Sequence, residues 1–264
     1  AGGPTCLNPS STSWVGIMEL SKCRAVVSGG ASGLGAATAA HFRDMGAQVT
    51  VLDRDPAGAE AASAIGAHYA VTDVTDEASV TAALDHAVAR MGGIDVCVNC
   101  AGVVVGEKTL GRDGPHRLDS FRRTIEVNLI GSFNVLRLAA ERMAANGRAQ
   151  NGVIVNTASI AAFDGQKGQA AYAASKAGIA GMTLPLARDL AGQGIRVCAI
   201  APGIFGTPML KGLPADVQDS LAAEVTYPKR LGDPTEFART CAFIVQNDYL
   251  NGETIRVDGA LRMR

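Results

Sequence analysis

An excess of charge of either sign is missing from this 264-residue sequence: 24 Lys and Arg stand against 25 Asp and Glu, leaving a formal net charge of -1. A nucleic acid or an anionic membrane surface is therefore not the expected partner. Long apolar runs are missing too. The most apolar stretches, VCVNCAGVVV and VIVNTAS, fall far short of the roughly 20 residues that a bilayer-spanning helix needs. The chain reads as soluble, with small molecules or other protein subunits as partners. Secretory features are absent as well: Cys6, Cys23, Cys97, Cys100, Cys198 and Cys241 come without an obvious signal peptide, so free thiols in a reducing compartment are expected. Cys97 and Cys100 form a CxxC, but no second pair and no histidine cluster stands near it. Buried strand thiols are expected there, and no metal site.

What the sequence has is glycine, 31 residues of it, and 47% hydrophobic residues with only one Trp. Many tight turns and close backbone approaches follow, as α/β sheets with ligand crevices require. Residues 1–17, rich in Gly, Pro and Ser and without periodicity, read as a disordered leader or extension. They lack the Arg-rich amphipathic pattern of a transit peptide, so a cytoplasmic location is expected, with the mitochondrial matrix as the alternative. A single domain then covers 18–264.

Within that domain, short strands alternate with helices. Strands are expected at 24–28, 48–53, 67–73, 94–99, 153–159, 195–200 and 253–258, with helices between them, including one long helix over 118–146 and another over 169–192. Strands that are apolar throughout imply burial on both faces, and intervening helices imply right-handed crossovers. The expected architecture is a single-domain Rossmann fold: a doubly wound parallel sheet of about seven strands with helices on both faces. Two segments break the rhythm, a charged insertion at 103–117 and a Pro/Gly-punctuated lid at about 204–233. Both follow strand carboxyl ends, where such sheets bind ligands.

The first strand runs into SGGASGLGAAT, with Gly29, Gly33 and Gly35 at the mouth of a helix. Glycines there permit a tight turn and let backbone amides approach a pyrophosphate, whose charge the helix N-terminus favours. Ser28, Ser32 and Leu34 belong to the same turn. Asp53 ends the second strand, where its carboxylate can accept from ribose hydroxyls and repel a 2′-phosphate; this selects NAD, while the neighbouring Arg54 keeps NADP as the alternative. Asp73 is expected at the adenine edge with Val74 packed on the ring. Asn99, Ala101 and Gly102 end the fourth strand where backbone and cofactor pass closely. Each of these alone reads equally as a turn or cap residue; together they line the carboxyl edge of successive strands.

In QAAYAASKAG, Tyr172 and Lys176 are four residues apart and so share one helical face, which alone also fits an ordinary solvated face. The order of the motifs decides further. GxxxGxG, the NxAG of VNCAG, the Asn of VNLIG, a Ser closing TAS, YxxxK and a following PG resemble the short-chain dehydrogenase/reductase family over residues 22–264. Ser28 stands where threonine is common, and Cys100 where a second asparagine is usual. The resemblance implies NAD-dependent interconversion of a secondary alcohol and a ketone, with Asn128, Ser159, Tyr172 and Lys176 as the catalytic set. Tyr172 is the expected proton acceptor, Lys176 the cation that lowers its pKa, Ser159 the donor to the substrate oxygen, and Asn128 the holder of a proton-relay water. Pro202, Gly203, Ile204 and Thr207 are expected at the nicotinamide, with a cap or turn as the alternative for Thr207.

TASIAAFDGQKGQAAYAASKAGIAGMTLPLARDLA, IAPGIFGTPML, RLGDP and LNGETIRVDGALRM further resemble the branch of that family acting on 3-hydroxyacyl-CoA, with hydroxysteroids as secondary substrates. Gln166 and Gln169 are candidates to hold a thioester carbonyl, with a solvated loop as the equal alternative for Gln169. Ile160, Phe163, Met209, Leu210 and Leu213 are expected to form an apolar pocket, with CoA phosphates near Lys108, Arg112 and Arg117 or near Lys211 and Lys229. The resemblance also implies a homotetramer. Two competing functions are an NADPH-dependent 3-oxoacyl-carrier-protein reductase, which Ala31, Ser32 and Asp53 disfavour, and a non-catalytic nucleotide-sensing Rossmann protein, which the combination of Ser159, Tyr172 and Lys176 disfavours.

Overall fold

The computed structural model describes residues 17–211 and 214–263, apart from the side chains of Met209, Lys211 and Val217. The expectations placed on residues 1–16, Leu213 and the side chains of Met209 and Lys211 lie outside the described residues. Seven parallel strands form one sheet: β1 (Arg24–Ser28), β2 (Gln48–Asp53), β3 (His68–Val71), β4 (Val96–Asn99) and, beyond a small hairpin of β5 (Leu110–Gly111) and β6 (Gly114–Pro115), β7 (Gly152–Thr157), β8 (Ile195–Pro202) and β9 (Thr254–Val257). The order β3-β2-β1-β4-β7-β8-β9 reverses direction between β1 and β4, which opens a crevice at their carboxyl ends.

The strands are apolar on both sides because both sides are covered. Ala25, Val27, Val51, Val98, Val155 and Ile200 point to one core, closed by Phe42 of α1 (Gly33–Asp44) and Phe237 of α9 (Pro234–Gln246). Val26, Leu52, Cys97, Ile154 and Val197 point to the other, closed by Leu84 of α3 (Glu77–Met91) and Leu136 of α5 (Gly131–Ala144). Each fully buried aliphatic side chain contributes roughly 2 kcal/mol. Local signals set the ends: Asp76 caps α3 through the Ala78 and Ser79 amides, Gly92 closes it at φ 81°, and Asp233 with Glu236 forms a capping box on α9 behind Pro234.

The remaining helices are α2 (Gly58–Ala64), α4 (Leu118–Ile125), α6 (Ala170–Leu190), α7 (Pro208–Lys211) and α8 (Ala215–Glu224). One expectation needs correction. The helix over 118–146 is not continuous, because a π-helical turn at Glu126–Ile130 separates α4 from α5. A wider turn of this kind is maintained only where surrounding contacts hold it, and it carries Asn128. The lid contains the short helices α7 and α8, and the 103–117 insertion carries the β5–β6 hairpin. Among the described residues no helix is long and apolar enough to cross a membrane.

At the opposite, amino-terminal edge of the sheet, buried Asp95 ties three segments together. It accepts from the Arg24 amide at 2.9 Å and from Arg24 Nε at 2.7 Å, and pairs with Arg148. Burial alone raises its pKa, but the Arg24 and Arg148 bonds outweigh that and hold the carboxyl below its usual range. Replacing Asp95 by alanine strands two guanidinium groups, both of which still reach water. The expected cost is thus near the low end for a broken buried pair, about 3 kcal/mol. Urea denaturation should register that loss.

Candidate functional site

The crevice between β1 and β4 opens into a cavity of about 740 Å³ that runs along the carboxyl ends of the strands. One end is the glycine turn. Gly29 and Gly33 hold φ of 65° and 56°, a region where a side chain is strained, and a Cβ on Gly35 would overlap the Gly29 carbonyl oxygen. Ser32 begins α1 without a side-chain capping bond, and it lines the cavity with Gly29, Gly33, Leu34 and Gly35. The first-turn amides are therefore uncapped at a helix N-terminus, which is the donor set a pyrophosphate requires.

Asp53 closes β2 on the same wall, accepting from the Ala31 amide at 3.0 Å and the Asp55 amide at 3.2 Å. Asp73 accepts from both the amide and the hydroxyl of Thr75, and these bonds, opposed by partial burial and aided by Arg123 and Arg54, lower its pKa. Val74 is buried, its carbonyl held by Asn134 at 3.0 Å. Ala101 and Gly102 line the cavity, whereas Ser28 and Asn99 lie behind its wall. Ser28 Oγ donates to Asn99 Oδ1 at 3.1 Å and Asn99 donates to Asn156 at 2.9 Å, a buried polar ladder across β1, β4 and β7 that supports the turn from beneath.

The other end gathers Ser159, Tyr172 and Lys176. Ser159 follows β7, and its hydroxyl accepts from the Ala161 amide at 3.1 Å and bonds Tyr172. Tyr172 and Lys176 sit one turn apart on α6, with Lys176 Nζ 5.8 Å from the tyrosine ring centroid. The ammonium is buried and donates to the Thr157 carbonyl at 2.7 Å. Burial pushes its pKa down to about 8. Burial also raises the Tyr172 pKa, opposed by the Ser159 bond. The phenol therefore sits above its ordinary range, because desolvation outweighs the Ser159 bond.

Asn128, fully buried in the π turn, clamps the chain after β4. Its Oδ1 accepts from the Val103 amide at 2.8 Å, and its Nδ2 donates to the Val103 carbonyl at 2.9 Å and to Ser175 Oγ at 3.1 Å. Pro202, Gly203, Ile204, Thr207 and Leu210 line the cavity, as do Ile160, Gln166 and Gln169. The Gln166 amide donates to Gln169 Oε1 at 3.0 Å, and the insertion braces this loop through the Glu107 amide on the Gly168 carbonyl at 2.8 Å. Phe163 is not on the wall. It is 53% exposed and packs on the Arg256 guanidinium at 5.4 Å, outside the pocket. Lys108, Arg112, Arg117 and Lys229 do not line the cavity either; Arg117 pairs with Glu107 at 3.3 Å.

Sequence reasoning missed several residues of the site. Thr157 supplies the carbonyl for Lys176, Ser175 receives Asn128, and Leu221 of the lid and Met263 near the C-terminus reach the cavity from distant positions. Arg123 and Val127 also line it, and their four-residue spacing just ahead of Asn128 was a legible signal. Cys100 faces the cavity with its thiol pushed up to about 11 by burial, so it is an unreactive wall.

Comparison with known proteins agrees with this geometry. A family model described as enoyl-(acyl carrier protein) reductase matches residues 29–261. The human 3-hydroxyacyl-CoA dehydrogenase type-2 is 53% identical over 248 residues, covering 91% of this chain and 95% of the relative. A crystal structure of 3-hydroxyacyl-CoA dehydrogenase type-2 from Mycobacterium avium superposes with a TM-score of 0.86 at 42% identity, covering 91% and 96% of the two chains. A 3-oxoacyl-[acyl-carrier-protein] reductase from Thermotoga maritima is more distant, at 36% identity over 89% of this chain and 96% of its own.

The buried ammonium gives a sign-definite test. With a folded pKa of about 8 against 10.5 in water, Lys176 gives up its proton in the folded chain first, so its burden on stability is full below about pH 8 and fades as pH rises toward 10.5. The stability of Lys176→Met relative to the unsubstituted protein should therefore fall by about 3 kcal/mol between pH 7 and pH 10.5. Cofactor-free denaturation curves across that range measure it, and a pH-independent difference would contradict the burial described.

Proposed function

The chain belongs to the short-chain dehydrogenase/reductase family, and from that premise we propose that this oxidoreductase uses NAD to interconvert 3-hydroxyacyl-CoA and 3-oxoacyl-CoA, with hydroxysteroids as secondary substrates. The observation that carries the reading is the convergence of Ser159, Tyr172 and Lys176 at one end of the cavity whose other end is the glycine turn with Asp53. The 53% identity to a 3-hydroxyacyl-CoA dehydrogenase type-2, against 36% to a carrier-protein reductase, supports the CoA thioester over the carrier-protein thioester.

Gly29, Ser32, Gly33, Leu34 and Gly35 hold the pyrophosphate, Asp53 the adenosine ribose, Asp73 and Val74 the adenine, and Pro202, Gly203, Ile204 and Thr207 the nicotinamide end. A bound nicotinamide supplies the hydride acceptor and, when oxidised, a positive charge beside the phenol. Tyr172 accepts the proton of the substrate hydroxyl. Ser159, already bonded to Tyr172, donates to the same substrate oxygen and stabilises charge developing there. Lys176, held by the Thr157 carbonyl, keeps a cation under the phenol in a dry site, where its field is strongest. The Asn128 side chain, held by Val103 and Ser175, fixes the wall beside Lys176, and its main-chain carbonyl accepts from Ser132 Oγ at 2.7 Å. Gln166 and Gln169, on the loop braced by the insertion, hold the thioester, with Ile160 and Leu210 around the acyl chain. Asp53 supports NAD over NADP, since a 2′-phosphate would meet a carboxylate. Ile130 and Phe133, 46% and 44% exposed on the outer side of the π turn and α5, support a homotetramer in which that face is covered.

Steady-state assays with acetoacetyl-CoA and NADH, compared with a 3-oxoacyl carrier protein and NADPH, test the substrate and cofactor together. Turnover is expected with the first pair; turnover with the second alone would overturn the reading. Tyr172→Phe should lower kcat by about 10² to 10⁴-fold while NAD affinity stays within about threefold, and full activity in that variant would refute the mechanism.

A further inference from the structure

One stripe of the helix that carries Asn128 is turned toward a single corner of the chain, the Asp73–Val74 turn at the end of β3. Asn134 Nδ2 donates to the Val74 carbonyl at 3.0 Å. A Cβ on Gly131 would come within 2.6 Å of Val74 Cγ2, so helix and turn are in direct contact. Val127 and, one turn earlier, Arg123 continue the stripe onto the cavity wall. Arg123, with Arg54, is one of the two cations whose charge helps hold the Asp73 carboxyl below its usual range.

Arg123 has no carboxylate partner at ion-pair distance among the described residues, whereas its neighbour Arg122 is paired outward with Asp119 at 3.4 Å. Arg123 is an exposed cation on the cavity wall beside the apolar side chains of Leu52, Val74 and Val127, with Asp53, Arg54, Thr72 and Asp73 lining the same stretch. A planar guanidinium beside an apolar slot suits one ligand chemistry especially: a flat, π-rich ring, which it covers face-on while its edges stay in water.

We propose that Arg123 is a cofactor-binding residue that stacks on the adenine ring and closes the pocket floored by Val74 and Val127. This rests on the NAD reading above and adds a group that neither the glycine turn nor Asp53 supplies. Arg123 contributes to nucleotide capture at a distance from the reacting atoms, so it sets affinity for the adenosine half and leaves the hydride-transfer end alone.

Calorimetric titration of the unsubstituted protein, Arg123→Ala and Arg123→Lys with NAD, adenosine 5′-monophosphate, adenosine and nicotinamide mononucleotide tests this without turnover. Arg123→Ala should weaken NAD, the monophosphate and adenosine alike by about tenfold, with nicotinamide mononucleotide unchanged. Arg123→Lys should retain only part of that affinity, because an ammonium keeps the charge but not the plane. An unchanged Tm for both variants shows that the fold is intact. Affinities within twofold of the unsubstituted protein overturn the proposal. So does a loss for the monophosphate but not for adenosine, which would make Arg123 a phosphate contact. If the unsubstituted protein binds none of the adenine ligands, the NAD reading fails and this inference with it.

Discussion

A parallel sheet covered on both faces has no room for polar chemistry along its length, so everything that works must gather at the strand ends. That constraint organises the whole chain. The side chains of β1, β2, β4, β7 and β8 alternate between two cores, and the first residues free to be polar without cost are those at the carboxyl edge. The reversal of strand order between β1 and β4 splits the loops leaving that edge and makes it concave. The buried polar residues Ser28, Asn99 and Asn156 bond one another across adjacent strands, with only Asn156 Nδ2 of this ladder left without a partner.

Within the crevice the costly element is a cation out of water. Lys176 is tolerated because the Thr157 carbonyl meets it at 2.7 Å, and even so its proton is loosely held. The phenol beside it resists its own charge for the same reason, burial, and the Ser159 bond offsets part of that cost.

Most of the fold was legible because it depends on local periodicity. Apolar runs bounded by glycine gave the strands to within a few residues. Motif spacing likewise located the cavity-lining Gly29, Asp53, Ser159, Tyr172 and Lys176. What was not legible depends on contacts between remote segments. The π turn at Glu126–Ile130 has an ordinary helical sequence; its extra residue is held by Val103 and Ser175, which no local pattern announces. Leu221 and Met263 reach the cavity only because lid and C-terminal segment fold back over it. Phe163 shows the reverse failure, since an aromatic next to the catalytic serine looked like pocket lining until Arg256 claimed its face. Ser28 and Asn99 fell on the right strand ends, but the pleat sends their side chains inward.

The Asn128 clamp has one more implication. With its Oδ1 on the Val103 amide and its Nδ2 on the Val103 carbonyl, the side chain imitates a peptide unit, completing the pattern a neighbouring strand would offer. The sheet is in effect extended by one residue that is not a strand. Immediately beyond that anchor the 103–117 insertion begins. The insertion is thus pinned at its first residue by Asn128 and again at Glu107 by the Gly168 carbonyl, so the chain leaving β4 is tied both to the π turn and to the loop ahead of α6.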